Sequence, residues 1–495
     1  MKIETIDSKI NTLTNALGSS APIKVKKISI GKDPSIQGAI MYIDGLVDKS
    51  IINRDILNPL MIEIRSSIEL NSDTASFLCS NYITADCSFI KDNTEEVSRN
   101  IKNGSTLLLI ENVEDYVMIA TNGGVTRAVT DPENETALRG SRDGFVESLE
   151  VNISLIRRKI KDSNLCIEKL VVGRRSQTDL ALVYIKDLVN IKALDEIRER
   201  INMIDVDSIT GSGALMEFID ENPYSLFPMC FATERPDRIA PSITEGRIAI
   251  IIDGTPHSLT LPALFVEFFD TVEDYNERPI SANFIRLLRF MAVLLVITLS
   301  SIYLTLIKYN GELIPIEFVV PVVRSRIGIS LTPFMEILIL EILMELLREG
   351  GLRLPSKIAA TLSIVGGIII GNAAVESSMV SPTTLLVIGI TIIASFVVPS
   401  IDMSISIRLL RFPMLFLANS MGIMGIATGY TLLILHLSSL ENFGVPYMEF
   451  NKNDLKDTFI RAPLWKMNTR PSIISDRNKK RQTNFRKKFR RKSDE

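Results

Sequence analysis

The chain of 495 residues carries 55 Lys+Arg against 58 Asp+Glu, a net charge of −3, but the sign is unevenly spread: residues 1–289 are acidic, 290–437 balanced and 438–495 basic. An acidic front half argues against nucleic acid as a partner, whereas a basic tail suits anionic lipid or an acidic protein. Cys79, Cys87, Cys166 and Cys230 show no CxxC spacing and His257 and His436 lie far apart, so no metal site, zinc or otherwise, and no disulfide framework is expected.

The first twenty residues have no continuous apolar run, so no secretory signal is expected and the front half is expected to stay in the cytoplasm. Residues 24–31 and 37–47 are β-rich runs separated by Lys32, Asp33, Pro34 and Ser35, which predicts a hairpin. A helix is expected over Asp55–Ser67, with Pro59 tolerable in its first turn. The runs STLLLIEN (105–112) and DYVMIATN (115–122) are close enough to pair, completing a first small α/β unit.

An amphipathic helix follows, capped at Ser141 or Asp143 and reaching about Lys161. Strands are predicted at 167–173, 179–187, 204–210 and 247–254, with a helix over 190–202, forming a second α/β unit. The predicted domains are 1–150, 151–275, a transmembrane helical domain over 276–440 and a basic tail over 441–495. The fold class is thus an α/β soluble N-terminal region of two small subdomains followed by an all-α multi-spanning membrane domain.

About 20 apolar residues cross a bilayer as a helix. Candidate spans are Leu287–Ile307, Ser330–Leu347, Ile358–Val375, Thr383–Ile401 and Phe412–Leu437, while Ile316–Val323, with Pro321, suits an interfacial or re-entrant piece. The joint 348–357 is basic and 376–382 has no Lys or Arg, which puts the former inside and the latter outside. Five full crossings would leave the tail outside; a cytoplasmic tail requires that one segment fail to cross. RLLRF occurs at Arg286–Phe290 and Arg408–Phe412, where interfacial arginines are expected to snorkel from helix ends. Gly367 and Gly371, and Gly425 and Gly429, have GxxxG spacing for packing within or between subunits.

The helix SLTPFMEILILEILMELLREGG (330–351) carries three carboxylates at bilayer depth. Glu341 and Glu345 lie about 40° apart on one face. They face a water-filled path as a cation-attracting ring, or pair inside the protein with Arg348, Arg324 or Arg326, or face lipid in the protonated form. Glu336, on another face, is a candidate for packing or subunit contact.

The blocks YIDGL (42–46), LRGSRDGFVESL (138–149), TERPD (233–237), EGRIAIIIDGTPHSL (245–259), DYNERP (274–279), LREGGLRLP (347–355), SIVGGIIIGNAAV (363–375), RLLRFPM (408–414) and FGVPY (443–447) resemble the A subunit of the GerA family of spore germinant receptors, from about residue 20 to 450. The resemblance implies a multi-pass protein of the spore inner membrane with its N-terminal region on the core side. It also implies a permease-like B subunit and a C-type lipoprotein as partners, homo-oligomers, and coupling of nutrient sensing to ion release. Stage V sporulation protein AF shares these blocks, and a small-solute permease is an alternative from another class.

No Walker lysine, GxSxG or HExxH appears, so no catalytic residue, cofactor or enzyme activity is expected. Gly211 and Gly213, in ITGSGALMEF, and Arg139 and Arg142, beside Gly140 and Gly144, are weak anion-site candidates against the plainer readings of a helix cap and a solvated loop.

Overall fold

The computed structural model describes residues 5–17, 22–31, 35–64, 74–91, 93–113, 115–121, 139–353, 371–448, 457–471, 473–474, 478–483 and 485–486, with the single positions 132, 135 and 367. In the first unit, β1 (Ile23–Ile30) and β2 (Ile36–Ile43) pair antiparallel, Ile23 opposite Ile43 and Ile30 opposite Ile36. With β3 (Cys87–Ile90), β4 (Thr106–Ile110) and β5 (Tyr116–Ile119) they form a sheet of order β1-β2-β4-β5-β3, antiparallel throughout. Its helical elements are α1 (Ile6–Leu17), α2 (Lys49–Ile51) with its continuations Ile52–Leu57 and Pro59–Glu63, α3 (Thr74–Asn81) and α4 (Thr94–Lys102).

Leu13, Leu17, Val97 and Ile101 from α1 and α4 pack on one face of the sheet, and Ile52, Ile56, Leu60 and Leu78 on the other. With both faces covered, β4 is buried at every position. The helix expected from Asp55 therefore starts earlier, at the Asp48 cap, whose carboxylate accepts the Ser50 N–H at 2.8 Å. Pro59 does not fall in the first turn of this run: Asn58 before it is helical, at φ −61° and ψ −51°, and the chain continues as Pro59–Glu63. Residues 65–67 lie outside the described residues.

The second unit repeats this plan. It contains α5 (Leu149–Lys159), β6 (Leu165–Val172), β7 (Thr178–Ile185), α6 (Ile191–Met203), α7 (Ser212–Ile219), β8 (Phe231–Thr233), α8 (Pro236–Thr244), β9 (Ile248–Ile252) and β10 (Ser258–Leu261). Its sheet order, β6-β7-β9-β10-β8, matches the first position for position. Again one helix pair, α5 and α8, covers one face and another, α6 and α7, the other. The duplication is audible in the sequence as YIDGLVD (42–48) and YIKDLVN (184–190), each ending a strand and supplying a helix cap, Asp48 or Asn190. The strand expected over 204–210 does not form: its carbonyls at Val206 and Asp207 accept from Arg174 and Arg175 N–H in a turn, and β8 supplies the fifth strand instead.

The C-terminal part is helical. After the short α9 (Val272–Asn276) come α10 (Pro279–Lys308), α11 (Ile316–Arg326), α12 (Pro333–Leu352), α13 (Pro382–Ser395), α14 (Ile401–Met421) and α15 (Ile423–Ser439). Among the described residues α10 is the one helix both long and apolar enough to cross a membrane. The other expected spans are altered. α12 and α14 carry buried charge, Thr383–Ile401 is interrupted after Ser395, and Phe412–Leu437 is cut at Gly422, whose φ of +60° is left-handed. Ile358–Val375 lies largely outside the described residues.

Contacts fix the direction of these helices. Lys308 Nζ donates to the Asn419 carbonyl at 2.8 Å, so the far ends of α10 and α14 meet. Ser406 near the start of α14 donates to the Leu226 carbonyl, and Asn222 of the second unit donates to the Glu441 carbonyl beyond α15 at 3.2 Å. α14 and α15 therefore form a hairpin that leaves and returns to the soluble units. A Cβ at Gly425 would collide with the Leu417 carbonyl, and one at Gly429 would sit 2.6 Å from Met414 Sδ, so this pair packs α15 on α14 within the chain. Gly367, by contrast, has nothing within 4 Å among the described residues, and Gly371 meets Leu385 at an ordinary 3.6 Å. Gly425→Val is expected to destabilise the hairpin by about 1–3 kcal/mol or more, because backbone cannot yield as a side chain can; thermal unfolding in detergent against Gly367→Val, expected to be near neutral, checks this.

Candidate functional site

Two clusters of buried charge stand out, and the two RLLRF repeats build both. The arginines expected to snorkel are instead drawn inward, because residues three apart on a helix share a face.

At the junction with the soluble units, Arg286 is fully buried and Arg289 nearly so. Arg286 lies 2.8 Å from Asp270 and 3.2 Å from Asp457, and donates to the carbonyls of Asp457 and Thr458 at 3.1 and 3.0 Å. Arg289 donates to Asp274 at 2.6 Å and to Thr271 Oγ1 at 2.9 Å. Arg461 reaches back to the Glu277 carbonyl at 3.2 Å, and Tyr275 donates to Asp457 at 3.0 Å. The start of α10 is thereby tied to both the 270–276 segment and the tail.

Most of the motifs singled out in the sequence converge here. In TERPD, Arg235 forms a bidentate pair with Asp237 at 3.0 and 2.8 Å and donates to the Glu135 and Ser141 carbonyls. In DYNERP, Asn276 donates to the Arg139 carbonyl at 3.1 Å. In FGVPY, Tyr447 donates to the Pro228 carbonyl at 2.8 Å. The tail continues over α8, where Arg470 donates to the Thr244 carbonyl at 2.8 Å and Arg481 lies 3.1 Å from Glu245.

Burial pushes the Glu245 carboxyl above its ordinary value, with Arg247 and Arg481 opposing. A raised folded value means that the contribution to stability is present below the unfolded value of 4.5 and lost as pH rises through the folded one. Glu245→Gln is therefore expected to raise the unfolding midpoint at neutral pH, with the gain vanishing toward pH ~4; melting curves of both proteins across this range check it.

The second cluster lies among the long helices. Glu341, 1% exposed, sits 2.5 Å from Arg411 and accepts from Ser300 Oγ at 2.8 Å. Arg411 also reaches Glu345 at 2.7 Å, and Arg408 lies 3.2 Å from the same carboxylate. Arg348 donates to Ser395 Oγ at 2.9 Å rather than to either acid. Glu336 is fully buried, 2.7 Å from Arg326, and accepts the Ser381 N–H at 2.6 Å. Hydroxyls of Tyr303, Ser381, Thr383 and Thr384 extend the seam.

Glu341 and Glu345 thus share a face, but Glu341 points into the chain's own bundle, and its partner comes from α14. Sequence reasoning missed Arg408 and Arg411 as partners. The signal was present: an arginine doublet spaced i, i+3 opposite a carboxylate doublet spaced i, i+4, both in apolar surroundings. The anion-site candidates are not brought together. Arg139 and Arg142 are exposed, Gly140 lines a cavity at the junction, and Gly213 lines a separate one of about 560 Å³ beside His257 and Asp402.

The family described as "Bacillus/Clostridium GerA spore germination protein" matches residues 11–473. Spore germination protein KA of Bacillus subtilis (strain 168) is 36% identical over 472 residues, covering 94% of this chain and 86% of that protein. Spore germination protein B1 of the same organism is 32% identical over 477 residues, covering 95% and 98%. The crystal structure of the N-terminal domain of the A subunit of the Bacillus megaterium spore germinant receptor GerK3 is 30% identical, with a TM-score of 0.41, over 54% of this chain and 99% of that one.

Proposed function

This chain belongs to the GerA family of spore germination proteins, and from that premise we propose that it is the A subunit of a nutrient germinant receptor in the spore inner membrane, coupling nutrient sensing to ion release. The observation that carries the reading is the extent of the match, which takes in both soluble units, the helical region and the docked tail as far as residue 473. In this reading the protein is no enzyme; it works in a complex with a permease-like B subunit and a C-type lipoprotein, and oligomerises to form the conducting path.

The helical region passes the membrane several times, with the soluble units and the tail together on the core side. The hairpin at Gly422 supports this: it adds a pass to the five expected, so the tail returns without any segment failing to cross. The pairing of Glu341 and Glu345 with Arg411 and Arg408 favours an ion-paired seam that holds the helices in register over a ring of free carboxylates.

The reading is tested by purifying the chain from spores in mild detergent and by measuring nutrient-triggered release of monovalent cations. Co-purification with B- and C-type subunits is expected, with slowed release in Glu341→Gln. A lone monomer that responds to nutrient without partners would overturn it.

A further inference from the structure

A cavity of about 500 Å³ lies at the junction, lined by α8 and the residues that follow it to Arg247, the 264–276 segment leading to α10, and tail residues including Asp457, Met467 and Arg481, together with Gly140, Ser141, Tyr447 and Met448. Its volume suits a small ligand. Leu264, Val266, Val272, Met467 and Ile473 give it apolar walls, while Glu245, Asp270 and Asp457 give it carboxylates.

The hydrogen-bonding capacity left over on these walls is mostly that of acceptors. Asp270 Oδ1 is paired with the Arg286 guanidinium at 2.8 Å, and an ionised carboxylate has further lone pairs beyond that one contact. Glu245 receives Arg481 at 3.1 Å, and an ionised carboxylate can accept several donors. The lining donors are largely committed: Arg238 to the Glu267 carbonyl, Arg247 Nη1 to the Pro262 carbonyl, Tyr275 to Asp457. Arg247 Nε lacks an acceptor, which leaves a place for one acceptor oxygen.

We propose that this cavity binds a small organic ammonium compound with an apolar body and one acceptor oxygen, and that the docked tail closes over it. The ammonium group supplies charge-assisted donors to Asp270 and Glu245. Asp270 and Asp457 are also the acids that hold Arg286, so the occupant shares residues with the anchor of α10. The site belongs to this chain alone and stands whether or not the receptor reading does.

Trp465, the sole tryptophan, follows the lining residue Leu464 and reports on the closed tail. The experiment titrates the full chain in lipid nanodiscs with leucinol and, as the uncharged counterpart, 4-methylpentan-1-ol. A saturable change in Trp465 emission is expected with leucinol, at least about tenfold weaker with the alcohol. Glu245→Gln is expected to weaken leucinol by about tenfold, and Val266→Phe, which fills the cavity from one of its apolar walls, to abolish the response. No saturable response, equal responses to the two probes, or unchanged leucinol affinity in a Val266→Phe protein that melts like wild type would each overturn the proposal.

Discussion

Arg411→Met is expected to destabilise the helical region by about 3–5 kcal/mol, the cost of leaving a buried carboxylate without its counter-charge. Glu341 would keep only the Ser300 hydroxyl, whereas Glu345 would retain Arg408. The double variant Glu341→Leu/Arg411→Met removes both charges and is expected to recover most of the loss, because a buried pair replaced by apolar groups of similar volume is often neutral. Thermal stability in detergent, followed by the fraction remaining monodisperse, checks both variants. The same pair of measurements separates the seam from a pore. Carboxylates facing a water-filled path are solvated when their partner is lost, and the single variant would then cost no more than about 1 kcal/mol, as for exposed pairs.

Arg286→Ala is expected to release the tail. Arg286 is fully buried and serves Asp270, Asp457 and two tail carbonyls at once, so its loss takes the counter-charge from Asp270, leaves Asp457 with the Tyr275 hydroxyl, and removes a donor from each carbonyl. A cost of about 3–5 kcal/mol is expected locally. The measurement is limited proteolysis: cleavage in the Arg461–Arg481 segment should accelerate strongly, while cleavage in the two sheet units is unchanged. Lysine does not restore the anchor, since one ammonium on a flexible stem cannot replace a planar fork that bridges both sides. Arg54→Ala provides the control, because the Arg54–Asp55 pair is exposed on the arginine side and should count for little.

Local signals in the sequence determined much of this protein by themselves. Alternation and turn residues marked the β1–β2 hairpin, the run NIKALDEIRERIN (190–202) marked α6, and apolar runs marked the helical region, because each depends on neighbours within a few residues. The motif blocks carried the family in the same way. Tertiary structure alone decided the rest. That residues 204–210 turn instead of pairing depends on competition for a sheet edge that β8 wins. The repeat of one sheet plan was faintly legible in YIDGLVD and YIKDLVN, but only strand order made it plain. The fate of the ionisable groups was least legible. Glu341 and Arg411 are 70 positions apart, whereas the expected partners Arg324, Arg326 and Arg348 all lie close to Glu341 in sequence, and Arg286 meets Asp457 across 171 positions. Burial makes each such charge demand a counter-charge, but which one it finds is set by how the helices pack, and no local period records that.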